Sequence, residues 1–319
     1  LEARLNEVLD ANAKNLIHEF WNGHALKKLP AKAVQRLKMF WPHLIEAILQ
    51  SDQPQMALLR LMPLVESVLR RTVYLVMLME SRGALQRLVK MATVSPWICE
   101  ELAQYPVLLD EFLSMDFGLP LRKDLEDSLR QQLLRIEIDQ VEDQMRVLRL
   151  FKKSNVLTVA ASDVLAESPL MKVSDALTDI AEVSVQATLN LAYEAVAERH
   201  GYPLGNNGQR CSLDNKGFAV IGYGKLGGIE LGYGSDLDLV FIHAFEEHSI
   251  MYNMVLPAHR RSFRNATICD QRREGMLLQT MHPVGCHSIP LRPGQIEIPD
   301  GMSTAKNGTY CHALLRNSL

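Results

Sequence analysis

Apolar residues recur at intervals of three and four from the start of the chain to about Gly201, and that period marks amphipathic helices rather than strands. Val34, Leu37, Trp41, Leu44 and Ile48 fall on one such stripe. Leu58, Leu61, Met62, Val65, Val68 and Leu69 form the next, and Gly83 punctuates the run before Leu85, Leu88 and Val89 resume it. Ser95-Pro96 reads as an N-cap followed by proline at the first helical position, opening a helical stretch from Trp97 to Met115. Leu121, Leu125, Leu129, Leu133 and Ile136 mark another helix. Ser174 or Asp175 can cap a further one, which runs through Leu177, Ile180, Ala187 and Leu191 and stops at Gly201. These stripes are expected to face a core.

The texture then changes. Tyr202 to Lys216 carries Gly205, Asn206, Asn207 and Gly208 with no apolar period, which predicts an exposed connection and a domain boundary. Phe218 to Gly222 and Leu237 to Ile242 are short strand candidates, separated by glycines and a short amphiphilic piece from Gly228 to Tyr233. The expected class is α+β: a helical region over 1–201, a linker over 202–216, a sheet-containing core over 217–300, and a tail over 301–319 to which no fold is assigned.

Composition narrows the possibilities. At 319 residues, with 47% apolar and 22% charged side chains, the chain is long enough for two globular domains with real cores. A formal net charge of -3 supplies no positive field, so neither nucleic acid nor an anionic membrane is an expected partner, and any anion must be held locally. No apolar run approaches the roughly 20 residues that span a bilayer, and no secretory leader precedes the first helix-like segment, so a cytoplasmic location is expected. The chain opens on Leu1 rather than methionine and is read as part of something longer. Five cysteines, never spaced C-x-x-C, indicate neither a disulfide scaffold nor a zinc ribbon. Cys269, His282, Cys286, His287, Cys311 and His312 likewise lack the short paired spacing of a zinc site.

Candidate chemistry gathers between Phe218 and Phe241. A glycine-rich turn follows one strand and an acidic pair opens the next. Side chains alternate along a strand, so Asp236 and Asp238 share a face, about 7 Å apart, while Leu237 and Leu239 point to the core. Two such carboxylates repel each other when empty and are placed to share divalent ions, with magnesium the natural choice beside nucleotide phosphates. Gly222, Gly224, Gly227 and Gly228 would let backbone N–H groups approach a triphosphate that a Cβ would obstruct. Lys225 adds a mobile positive charge and Ser235 a hydroxyl donor. Together these are the parts of a nucleotidyl-transfer site.

Two plainer readings compete. Gly222-x-Gly224-x-x-Gly227 after a strand also matches the dinucleotide-binding fingerprint. That unit needs a crossover helix of roughly ten or more residues. Only seven separate Gly227 from Ser235. An isolated D-x-D, for its part, would end a loop and stay solvated, but here a glycine turn flanks it. No G-x-x-x-x-G-K-[ST] occurs, which excludes a Walker-type loop.

At these residues a resemblance emerges. Gly222-Tyr-Gly-Lys-Leu-Gly-Gly228 followed by Glu230-Leu-Gly-Tyr-Gly-Ser-Asp-Leu-Asp-Leu-Val-Phe241 resembles the signature of glutamine synthetase adenylyltransferases, members of the polymerase-β-like nucleotidyltransferase superfamily. Ser95-Pro-Trp97, Gln104-Tyr-Pro-Val-Leu-Leu-Asp-Glu111 and Met171-Lys-Val-Ser-Asp-Ala-Leu177 are similar to that family's helical region, and the likeness covers roughly residues 15–243. The resemblance implies a palm-like mixed sheet after the helical region, in truncated or aberrant form. It also implies two related catalytic halves, one adding AMP to a tyrosine of glutamine synthetase from ATP and one removing it by phosphorolysis. Tyr233 and Leu237 are more similar to the AMP-adding half. By the same resemblance Asp236 and Asp238 would bind magnesium, Gly224 and Lys225 would sit at the phosphate turn, and the PII signal protein would regulate.

One departure stands out. The family's third acidic residue belongs to a Glu-Val-Asp-x-Arg-Leu-Arg-Pro-like segment, whereas counting back from Leu291-Arg292-Pro293 puts Ser288 at that place. From Ala244 onward no further similarity is read. The chain is therefore expected to be a poor catalyst even if it binds nucleotide, and a fragment that only docks glutamine synthetase or PII is the alternative expectation.

Overall fold

The computed structural model describes residues 5, 7–114, 118–166, 168–205, 208–243, 287–290 and 312–313. It is α+β, mostly helical, with one small sheet. The chain divides into two compact units, residues 1–119 with 157–169 and residues 120–156 with 170–319, and each is described by itself.

The first unit is helical. Its elements are α1 (Ala11–Asn22), α2 (His24–Lys27), α3 (Ala31–Leu49), α4 (Pro54–Val68), α5 (Val73–Glu80), α6 (Arg82–Val94), α7 (Pro96–Gln104) and α8 (Leu108–Ser114), joined by the last ten residues of α10 (Val141–Ala166). The predicted stripes face inward: Leu37, Leu44 and Ile48 of α3 are fully buried with Phe40, and Leu58, Leu61, Met62, Val65 and Val68 of α4 join them in one core. α4 packs on both α6 and α7, and α3 on α5. Asp10 caps α1 by accepting from Ala13 N at 2.8 Å, and Ser81 caps α6 by accepting from Ala84 N at 3.3 Å, so Gly83 lies within the first turn of α6 rather than at its boundary.

Other boundaries differ from the sequence reading as well, and the helix expected to reach Ile136 ends at Leu133. The stretch opened by Ser95-Pro96 divides into α7 and α8. Pro106 disfavours helical backbone at the residue before it, and Tyr105 accordingly leaves the helix at φ -125°, ψ 72°. In the second unit, the helix expected to begin at Ser174 or Asp175 is α11 (Leu170–His200), which starts at the residue after Pro169. Both polar residues therefore lie inside it, where Asp175 pairs with Lys172 at 3.6 Å. Its far end matches the expectation: Gly201 takes φ +80° and donates its N–H to Ala197 O at 2.8 Å.

Also in the second unit are α9 (Arg122–Leu133), the first part of α10, β1 (Phe218–Tyr223), a single turn α12 (Gly224–Gly227), β2 (Asp238–His243), β3 (His287–Pro290) and β4 (His312–Ala313). The sheet order is β3-β2-β1-β4, with β1 antiparallel to β2 and β4, and β2 parallel to β3. α9 packs on α11, where the Arg122 guanidinium pairs with Asp179 at 3.1 Å, with Glu126 at 3.0 Å, and with Glu182. Glu182 is 5% exposed, so its charge needs compensation, and Arg122 supplies part of it. Arg122→Leu is expected to lower the unfolding free energy by about 1–3 kcal/mol in urea titration, less than for a wholly buried pair because the arginine itself is partly solvated. No change would show that Glu182 finds its compensation elsewhere.

Candidate nucleotide-binding site

The site is assembled on a hairpin-like pair. β1 and β2 run antiparallel in the register Phe218↔His243, Val220↔Phe241, Gly222↔Leu239 and Tyr223↔Asp238. A dinucleotide-binding unit requires successive parallel strands around a crossover helix. The antiparallel pairing removes that reading, and the single turn of α12 is far too short for such a crossover. Val220, Leu226, Leu231, Leu237, Leu239 and Val240 are buried and hold the pair together.

The backbone entering β1 is fixed from α11. Tyr193, at 4% exposure, donates its hydroxyl to Lys216 O at 3.0 Å, and the Lys216 ammonium donates to Leu213 O at 2.5 Å while lying 5.9 Å from the Tyr193 ring centre. Gly217, at φ +58°, then turns the chain into the strand. Burial pushes the Tyr193 hydroxyl above its ordinary pKa, with Cys211 beside it adding to the shift, so the group stays a donor. Burial also pushes Cys211 up and Lys216 down. The 202–216 connection is thus not simply exposed. Cys211 and Lys216 are buried, Cys211 N bonds to Pro203 O at 2.9 Å, and Tyr202 packs beside Tyr193. Its turn residues hid this because the cluster joins positions far apart along the chain.

The glycines do different things. Gly222 lies under Leu226, and a Cβ there would meet Leu226 Cδ2 at 2.8 Å. Gly224 has φ +55°, and a Cβ built on it would drive into the Asp238 carboxylate, with Asp238 Cγ only 3.4 Å and Cβ 3.8 Å away. The glycine turn and the second aspartate are therefore in contact, across a connection running from 224 to 237. Gly227 is buried, and Gly228 closes the turn by donating to Gly224 O at 2.9 Å. Ile229 follows at φ 57°, a left-handed conformation that a β-branched side chain rarely adopts. It is held by its N–H on Leu226 O at 3.2 Å and by Glu230 N on Lys225 O at 2.8 Å.

Asp236 precedes β2 and Asp238 opens it; both are exposed, while the intervening Leu237 and following Leu239 are buried. That alternation is the one expected of the sequence. Lys225 is exposed on α12. Ser235 is half-buried, and its oxygen accepts from Gly232 N at 3.0 Å while its own N–H bonds to Gly232 O at 3.2 Å, which ties the loop entering Asp236. Its hydroxyl proton is not used by that bond. Ser288 falls in β3 opposite Phe241, three rungs from Asp238. Of the cysteines and histidines in the carboxy-terminal region, Cys269, His282, Cys286 and Cys311 lie outside the described residues.

Among the described residues no three His, Cys, Asp or Glu side chains come together as a metal cage. The two carboxylates suit a magnesium ion that keeps water and phosphate oxygens as its other ligands, which is how that ion is usually held beside a nucleotide. Gly224 is the observation that fits: only a residue without a Cβ leaves the Asp238 carboxylate its place against the turn.

Residues 85–263 match the family model described as glutamate-ammonia ligase adenylyltransferase, more than half of the chain. The chain belongs to this family. The match extends beyond residue 243, where the likeness read directly from the sequence ended. The relatives include three proteins named bifunctional glutamine synthetase adenylyltransferase/adenylyl-removing enzyme. The Acinetobacter baylyi protein is 83% identical over 249 residues, which are 78% of this chain and 27% of that protein. The Pseudomonas putida protein is 49% identical over 211 residues, 66% of this chain and 21% of that one. The Shewanella frigidimarina protein is 42% identical over 239 residues, 74% and 25% respectively. The chain thus spans about a quarter of the length of these relatives. No described helix is long and apolar enough to cross a membrane.

Proposed function

We propose that the chain carries the AMP-adding chemistry of this family, transferring AMP from ATP to a tyrosine hydroxyl of glutamine synthetase. The observation that supports the reading is the contact between the glycine turn and Asp238 at one end of the β1–β2 pair. The family and the relatives' printed names supply the substrate class. In this reading the helical region over 1–201 and the connection over 202–216 precede a nucleotidyltransferase palm that begins at 217.

Asp236 and Asp238 would hold magnesium, which when bound neutralises phosphate charge and fixes the angle of attack at one phosphorus. The backbone of Gly222, Gly224, Gly227 and Gly228 would approach the triphosphate, with Lys225 countering its charge and the Ser235 hydroxyl donating to it. The tyrosine oxygen forms its bond to the α-phosphorus as the α–β bridging oxygen departs with pyrophosphate, and the phenolic proton passes to solvent. PII as regulator and a cytoplasmic location complete the proposal.

The relatives' double name favours a second reading, removal of AMP by phosphorolysis. Labelled ATP with glutamine synthetase separates the two: label on the tyrosine supports addition, whereas ADP released from adenylylated glutamine synthetase and phosphate supports removal. Binding of glutamine synthetase without either product would reduce the chain to a docking fragment.

A further inference from the structure

The glycine at 224 is ordinarily explained by what approaches it from outside. The geometry points to a different role for it: we infer that Gly224 is a positioning residue that acts through Asp238. Its missing Cβ is what lets the Asp238 carboxylate stand over the turn. This inference rests on the reading of Asp238 as a magnesium ligand.

The constraint is one of space. A Cβ at Gly224 would overlap the nearer carboxylate oxygen of Asp238 and approach Cγ to 3.4 Å. The atom encountered is the terminal carboxylate oxygen of Asp238, while its Cγ and Cβ would stand at ordinary contact distance. Asp238 has a short side chain on the last rung of the β1–β2 pair, opposite Tyr223, so the carboxylate would have to turn away from the position it now holds over the turn. The obstruction comes from the chain's own carboxylate, so it would exist with no nucleotide bound. Gly201 provides the comparison the molecule itself supplies: it also has positive φ, at +80°, but nothing lies within 4 Å of its built Cβ. Alanine at 201 therefore meets only backbone strain. Alanine at 224 meets strain and the carboxylate.

The test is a double-substitution cycle on the 319-residue chain, read by thermal unfolding without nucleotide and by the magnesium dependence of ATP binding. Gly201→Ala should lower Tm by about 2–4 °C, the strain cost alone. Gly224→Ala should lower it further, and adding Asp238→Ala to Gly224→Ala should restore the excess. In ATP titrations Gly224→Ala should raise the magnesium needed for half-saturation about tenfold or more, as removal of a metal-binding carboxylate would. Added to Asp238→Ala it should cost nothing further, and Gly201→Ala should leave the requirement unchanged. Should Gly224→Ala not fold, recovery of folding by Asp238→Ala still establishes the steric link. Equal Tm losses at 224 and 201, with additive effects in the cycle, would overturn the inference. Magnesium-independent ATP binding by the unsubstituted chain would instead overturn the metal reading, while the stability cycle would still report on the contact.

Discussion

Asparagine at both 236 and 238 is expected to abolish magnesium-dependent ATP binding and to lower AMP transfer by about a thousandfold or more, the scale of a charge-stabilising group at a transferring phosphoryl. The substitution keeps the shape of both side chains and removes both charges. Because each carboxylate is exposed and neither lies in the buried face formed by Leu237 and Leu239, folding should be preserved. Calorimetric titration with Mg-ATP, beside urea unfolding of the same proteins, measures both quantities. Equal affinity in the double variant would remove the acidic pair from the site and leave the glycine turn without a metal partner.

The largest expected effect on stability is in the helical unit. Phe40, on α3, is 1% exposed and is among the largest side chains that are completely enclosed. Phe40→Ala should cost about 3–5 kcal/mol, the sum of lost transfer energy and an unfilled cavity. Denaturant unfolding followed by far-UV circular dichroism would read it. A loss under about 1 kcal/mol would mean that neighbouring helices close the gap, contrary to the tight packing expected of such a core.

The helical stripes were legible because burial repeats with the helix: every residue in the set Leu58, Leu61, Met62, Val65, Val68 and Leu69 is buried. Helix starts were less so. Ser174 and Asp175 have the chemistry of caps, yet Leu170 begins the helix, because tertiary packing of Val173 and Ala176 rewards the extra turn. The connection over 202–216 looked solvated, since nothing local in it announces that Lys216 would be fastened by Tyr193, 23 positions earlier. At the site, the exposed-buried alternation from Asp236 to Leu239 could be read directly, because a strand imposes it on neighbours. What could not be read was the second purpose of Gly224. A glycine in sequence says only that a side chain is unwelcome; the group that excludes it comes from the other side of a loop.

The ladder between β1 and β2 also has a mechanical meaning. The chain enters and leaves this pair at Phe218 and His243, while Tyr223 and Asp238 form its closed end. Tension applied along the polypeptide would therefore load the Phe218↔His243 rung first and unzip the pair one rung at a time. The rung that carries Asp238 would be the last in that pair to part, so the glycine turn and its carboxylate are sheltered from tugging by whatever is attached on either side.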